Sequence, residues 1–214
     1  AANAYGSALR KAASASCGGC HGEAGVSKIP GMPSLVGLDP KYLVVAMKAY
    51  KTGERRHDMM KSLLAPVSDA GMENIALHYA LQKPVRAQTP VSGNPGAGKS
   101  AAAACAGCHG NSGVSTNPAN PSLAGQDAQY LAVATKAYKD GSRSNETMKG
   151  PAAALDDAAI NNLAAFYATQ PPQAPSFRKP LSTAERVQRC DRCHGINGNS
   201  IDPLTPALAG QRVD

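Results

Sequence analysis

Three CxxCH motifs recur along the chain, formed by Cys17, Cys20 and His21, by Cys105, Cys108 and His109, and by Cys190, Cys193 and His194. Their first cysteines lie 88 and then 85 residues apart, and Gly37, Gly125 and Gly210 each follow the first cysteine by twenty positions. Between the first two motifs, PSLVGLDPKYLVVAMKAYKTGERRHDMMKS runs without a gap against PSLAGQDAQYLAVATKAYKDGSRSNETMKG. Repetition of this kind restricts the chain to a tandem of like domains. Each repeat is under 100 residues and short of large side chains, with no Trp and two Phe in the whole sequence. Domains that small are marginal without a staple, and a large apolar cofactor would supply the missing core volume.

The motif chemistry names that cofactor. Covalent haem needs two thiols for its vinyl groups and an adjacent imidazole for one face of the iron. A single CxxC also reads as a redox dithiol or half of a zinc site. Three copies, each followed at once by His, point to three covalently attached c-type haems and consume all six cysteines. The spacing also argues against a framework of scattered disulfides.

The sixth ligand follows by elimination. The second repeat holds one Met, Met148, 39 residues after His109, and its one His is already used. In the first repeat only Met60 lies 39 residues after His21 and shares the Met-Lys pair, with Met59 as the local competitor and His57 a weaker one. Met47 and Met72 read as helix-packing residues and Met32 as a loop residue. His/Met ligation raises the reduction potential and fills both axial positions, so such an iron transfers electrons and does not make bonds. Glycines at 22, 25, 110, 113, 195 and 198 would let the backbone pass close to the macrocycle, and Pro33, Pro121 and Pro206 would shape the proximal side.

Apolar periodicity makes each repeat mostly helical. A short helix precedes each CxxCH, with Ser182 and Glu185 at capping-box spacing before the third. A Gly and Pro loop follows, then a helix of about a dozen residues carrying Leu43, Ala46 and Tyr50, or Leu131, Ala134 and Tyr138. The ligand Met falls in the loop before a last helix, capped by Ser68 or Asp156 and anchored in the core by Tyr79 or Tyr167. The fold expected is all-α. Domain I spans 1–84, a linker 85–96, domain II 97–170, a second linker 171–180, and the front of a third domain 181–214. Both linkers are rich in Pro and stiff by composition, which should keep neighbouring domains in contact.

Charge and compartment bound the partners. The formal charge is +7, and residues 1–90 carry eleven Lys or Arg against six Asp or Glu. Three haems would bring six carboxylates and take the holoprotein close to neutral. No basic stripe interleaves with aromatics, which sets aside a nucleic-acid partner. The positive bias of the first repeat suits steering toward a redox protein with an acidic docking surface, a membrane respiratory complex or oxidase included. No apolar run is long enough to span a membrane. The first residue is Ala, compatible with a processed, exported protein and equally with a trimmed one; with the haem inference it gives a periplasmic expectation.

The motifs CGGCHG, PSLVGL, GERRHDMMK and SDAGMENIALHYA, with CAGCHG, PSLAGQ, GSRSNETMKG and DDAAINNLAAFYA, resemble the cytochrome c4 family over roughly residues 6–170. That family comprises tandem class I cytochromes of bacterial periplasms, with relatives among the cytochrome subunits of sulfide-oxidising flavocytochromes. The resemblance implies two complete class I domains related by a pseudo-twofold axis, with a third incomplete. It also implies His21/Met60 and His109/Met148 ligation, and electron delivery from a quinol-oxidising complex to a terminal oxidase or reductase.

Three departures stand out: the third CxxCH, Leu38 opposite Gln126, and His57-Asp58 opposite Asn145-Glu146. The latter two should alter surface contacts or haem exposure. A non-catalytic multihaem electron carrier is the leading expectation. An electron-accepting subunit of a flavin or quinoprotein dehydrogenase is the alternative, and a haem enzyme with an open third centre the least favoured. After His194 the chain keeps PALAGQ in register, so it reads as the front of a genuine third domain whose Met would fall near position 233 by the same spacing. The alternative left open is a chain ending there, its iron five-coordinate or ligated by a neighbour.

Overall fold

The computed structural model describes residues 16–177 and 183–212. Of these described residues, those up to Ser176 belong to one compact unit and those from Phe177 onward to another. Regular structure among the described residues is helical, apart from an isolated antiparallel bridge between Arg55 and Arg143.

The larger unit is built as two like halves. The first contains α1 (Gly18–His21), α2 (Pro40–Thr52), α3 (Asp58–Leu64) and α4 (Asp69–Ala80). The second contains α5 (Pro95–Ala101), a 3-10 turn (Ala102–Ala104), α6 (Ala106–His109), α7 (Ala128–Lys139), α8 (Glu146–Ala153) and α9 (Asp157–Thr169). Local chemistry sets the boundaries. Asp39 accepts from Lys41 N just ahead of Pro40, which suits the first helical position because its nitrogen needs no partner. The far end of α2 stops at Gly53, in left-handed backbone at φ 86°. Ser68 accepts from Gly71 N and Asp156 from Ala159 N, the caps expected for α4 and α9.

Met72, Ala76 and Tyr79 of α4 pack with Leu43 and Met47 of α2 in the core of the first half. In the second half Leu163, Ala164, Phe166 and Tyr167 of α9 pack with Leu131 of α7 and Ala102. Helix α9 lies against α5 and α7, and α2 against α3 and α4. The helix expected ahead of the first CxxCH, and Ser182, lie outside the described residues.

Met60 and Met148 do not sit in loops. They lie on the short helices α3 and α8, started by His57 and Asn145, whose side chains accept from the Met60 and Met148 backbone N–H groups. Helices of seven and eight residues carry too few turns to show an apolar period, and Pro151 breaks the pattern in α8.

Backbone and side chain join the halves. The Ser34 N–H donates to Gln126 Oε1 at 2.6 Å, and Gln126 Nε2 donates back to the Ser34 carbonyl at 2.9 Å. Gly31 N donates to Asp127 Oδ1 at 2.9 Å. The linker is pinned to both sides, Gln88 N to Ser27 O and Ala87 N to Gly125 O, each at 2.8 Å. The Leu38/Gln126 difference is therefore not a surface feature: Leu38 is buried in its own half's core, whereas Gln126 is buried as a polar clasp on the other half.

The second unit carries α10 (Thr183–His194) and a 3-10 turn (Ile196–Gly198). Here the third CxxCH completes one continuous helix instead of following a separate one.

Candidate haem sites

Each CxxCH closes a helical turn, with the His N–H donating to the first cysteine's carbonyl at 3.0 Å in both halves. A glycine in left-handed backbone then reverses the chain. At Gly22 and Gly110 (φ 80° each) an added Cβ would lie 2.2 Å from the carbonyl oxygen of Val26 or Val114, so only glycine fits. The close approach there is to the loop's own backbone, a constraint that local spacing alone did not separate from closeness to a macrocycle.

The loop returns a proline carbonyl to the histidine. His21 Nδ1 lies 2.8 Å from Pro33 O, His109 Nδ1 2.8 Å from Pro121 O, and His194 Nδ1 2.8 Å from Pro206 O. A carbonyl can only accept, so Nδ1 carries the proton and Nε2 keeps its lone pair for a metal. His21 and His109 are 7% and 6% exposed. Burial lowers both imidazole pKa values, against the raising influence of the proline carbonyl bonds. Both rings are thus held neutral and oriented, the state an axial ligand needs.

Both halves open onto one continuous cavity of about 1240 Å³. Its walls include Cys17, Cys20 and His21 with Met60, and Cys105, Cys108 and His109 with Met148. Met60 is half-buried against the first core, while Met59 is 59% exposed. His57 Nδ1 accepts from the Met60 N–H at 3.3 Å, which occupies that nitrogen in capping α3. Met47 and Met72 are buried on α2 and α4.

The Tyr79 ring lies over Gly25 and the Tyr167 ring over Gly113. The Tyr167 hydroxyl is buried beside the Cys105 thiol. Burial raises the pKa values of Cys17 and Cys105, with the neighbouring tyrosines opposing. These thiols would be poor free nucleophiles, which disfavours a redox dithiol. Among the described residues no three His, Cys, Asp or Glu side chains converge as a metal cluster. A large apolar cavity edged by paired thiols, an oriented neutral imidazole and a thioether fits haem c.

The third site repeats the local framework. Leu208 and Ala209 N–H groups donate to Gly198 O, as Leu35 and Val36 do to Gly25 O and Leu123 and Ala124 to Gly113 O. Its apolar surroundings differ: Ile201 is fully exposed and Leu204 is 91% exposed.

A cytochrome c family model matches residues 96–170. Cytochrome c4 of Pseudomonas aeruginosa is 35% identical over 148 residues, covering 65% of this chain and 74% of that protein. The chain belongs to the cytochrome c4 family. A thiosulfate dehydrogenase electron acceptor of Thiomonas intermedia is 31% identical over 172 residues, covering 73% of this chain and 79% of the relative. The structure of thiosulfate dehydrogenase TsdBA from Marichromatium purpuratum matches with a TM-score of 0.72 at 26% identity, covering 94% of this chain and 49% of that one. That share of this chain is more than the residues up to Ser176 can supply, so the likeness enters the unit bearing the third CxxCH.

As a member of this family the chain is a haem-bearing electron carrier, not an enzyme. Among the described residues no helix is long and apolar enough to cross a membrane. The clasp on Ser34, the His57 and Asn145 caps and the bridge between Arg55 and Arg143 escaped the sequence reading. Pairing of the two GERR and GSRS segments in the repeat was the one available hint.

Proposed function

We propose that the chain is a periplasmic multihaem cytochrome that passes single electrons between redox proteins through two haems sharing one cavity. The observation that carries this is the continuous cavity lined by both CxxCH sites and by Met60 and Met148. In this reading Cys17, Cys20, Cys105 and Cys108 anchor the haems, and His21/Met60 and His109/Met148 ligate them. Bound haem supplies a reversible one-electron iron. The protein's part is to fill both axial positions, hold each imidazole through its proline carbonyl, and keep water from the cavity with Tyr79, Tyr167 and their neighbours. Domain I (1–84) and domain II (97–170) would each carry one haem. Residues 181–214 would form the front of a third domain, with Cys190, Cys193 and His194 holding a third.

The test is intact mass of the matured protein combined with rapid mixing against small redox partners. Three covalent haem increments and fast outer-sphere reduction are expected. Bare thiols at either complete half, or peroxide turnover at rates matching electron transfer, would overturn the reading.

A second reading assigns the donor. The Thiomonas relative is named for accepting electrons from thiosulfate dehydrogenase, and the TsdBA likeness extends into the third-motif unit. On this reading the chain accepts electrons from a thiosulfate-oxidising dehydrogenase. Mixing the ferric protein with such an enzyme and thiosulfate should yield the ferrous spectrum; an unchanged spectrum, with the enzyme active toward ferricyanide, would reject this donor.

A further inference from the structure

Helices α3 and α8 carry Met60 and Met148 at the same place in the repeat, yet they are built differently beyond it. Each starts on a cap to the methionine's own N–H, from His57 at 3.3 Å or from Asn145 at 3.0 Å. From there α3 continues through Ser62 and Leu63, where α8 has Gly150 and Pro151. Glycine and proline are the two poorest helix formers. Pro151 is the sixth of eight residues in α8, past the first turn that tolerates proline, and it lacks the N–H that would bond the Thr147 carbonyl. Beyond Pro151 the chain is held again: Ala152 is 1% exposed, and Lys139 Nζ donates to Leu155 O at 2.5 Å. The weak step of α8 therefore lies between two anchors, directly after the turn that bears Met148.

Packing repeats the difference. Met60 rests on the first core, whereas Met148, also half-buried, is not among the side chains packed on the second. Along the cavity wall three repeat positions are smaller in the second half: Thr135 for Met47, Thr147 for Met59 and Ala152 for Leu64. One runs the other way, Leu155 for Val67. Gly150 has nothing within 4 Å of an added Cβ, so α8 can shift there without collision. Apart from His109 and Arg143 the second half's wall is uncharged, and Thr135 Oγ1 already donates to the Leu131 carbonyl at 2.8 Å. An anion beside α8 would shed its hydration and gain no partner, so the space suits a small neutral molecule.

We propose that α8 is a release element whose Gly150–Pro151 step lets Met148 withdraw in a minor population, opening the second-half axial position to a small neutral molecule of the carbon monoxide or nitric oxide class. The proposal rests on the haem and Met148 reading above. The first half stays closed, because α3 has no such step and Met60 is packed on its core. The exchange is a substitution: the thioether leaves, the incoming molecule takes its place, and no electron or proton is transferred. A small open population suffices, since a molecule that binds the open form draws the equilibrium toward it. The second half thus responds to a dissolved gas while the first continues to carry electrons.

The test titrates the full reduced holoprotein with carbon monoxide and reads the ring-shifted methyl resonances of Met60 and Met148, assigned with Met60→Ala and Met148→Ala. The Met148 resonance should vanish at about tenfold less carbon monoxide than the Met60 resonance. Amides of α8 should also exchange with solvent faster than those of α3. Importing the first-half residues, Gly150→Ser with Pro151→Leu, should close most of the gap in both readouts. Ser62→Gly in α3 should narrow it from the other side. Gas taken up at the third motif does not register in either methionine signal.

Loss of both methionine signals at one concentration, or survival of both, would overturn the proposal and leave the haem reading standing. A gap that persists through the double substitution would place its cause outside α8 and overturn the proposal as well. Absence of ring-shifted methionine signals before any gas is added would reject the haem reading itself. Should the double variant fail to retain haem, Gly150→Ser alone and Ser62→Gly decide.

Discussion

Gly98 sits where α5 crosses α9, and a single methyl group there should be costly. An added Cβ would lie 2.0 Å from the Asn162 carbonyl oxygen, 2.5 Å from its carbon and 2.8 Å from Phe166 Cβ. Two of those atoms are α9 backbone and cannot rotate away, so the helices must part by more than an ångström to reach ordinary contact. The motion would pull on Phe166 and Tyr167, which close the second core over Cys105. Overpacking of this kind costs about 3 kcal/mol, offset by about 1 kcal/mol from the better helix propensity of Ala, for a net loss near 2 kcal/mol.

Gly150 is the internal control. It lies in α8 with nothing within 4 Å of an added Cβ, so the same substitution should stabilise by about 0.5–1 kcal/mol. The assay is denaturant unfolding of the holoprotein, followed by far-ultraviolet circular dichroism and by the absorbance of the ligated haems, since the halves need not unfold together. Gly98→Ala should lose second-half signals at lower denaturant while first-half signals change little. A neutral or stabilising Gly98→Ala would refute the reasoning, as would the two substitutions behaving alike.

Met148→Ala should leave the second haem attached while abolishing its sulfur-to-iron near-infrared band and lowering its potential; an unchanged band would reject Met148 as the ligand. Gln126→Leu would strand the Ser34 N–H and carbonyl inside the junction and should cost about 1–3 kcal/mol, read as a lower denaturation midpoint. An unchanged midpoint would mean that the clasp contributes nothing. Burial pushes the phenols of Tyr50 and Tyr138 up to about 12, above the value of about 10 for an unfolded tyrosine. A raised folded value stabilises fully below about pH 10 and is lost as the pH climbs toward 12, with Tyr130 opposing in part. The denaturation midpoint should therefore fall across that window, and less steeply in a Tyr50→Phe, Tyr138→Phe double variant; a flat midpoint would contradict it.

What was legible in the sequence is what short-range chemistry writes there. The CxxCH turns, the Ser68 and Asp156 caps and the apolar faces of α2, α4, α7 and α9 depend on residues a few positions apart. Contacts spanning some ninety positions leave no such trace. The Leu38/Gln126 difference read as one of surface contacts or haem exposure because nothing local reveals that Ser34 faces Gln126. Arg55 and Tyr130 gave no sign of pairing, although their repeat counterparts, Arg143 and Tyr42, make the same bond in reverse. The helices bearing Met60 and Met148 were missed for a different reason: they are too short to display a period, and their caps are an unusual His57 and an Asn145 read only as a variable site.

The central claim is that both halves of the shared cavity hold a haem whose iron is bound by histidine and thioether. The most direct measurement is near-infrared magnetic circular dichroism of the fully ferric protein, scaled to its haem content. The account predicts sulfur-to-iron intensity equivalent to at least two irons, with one equivalent removed by Met60→Ala and another by Met148→Ala. Intensity of one equivalent or none, or intensity that survives both substitutions, would contradict it.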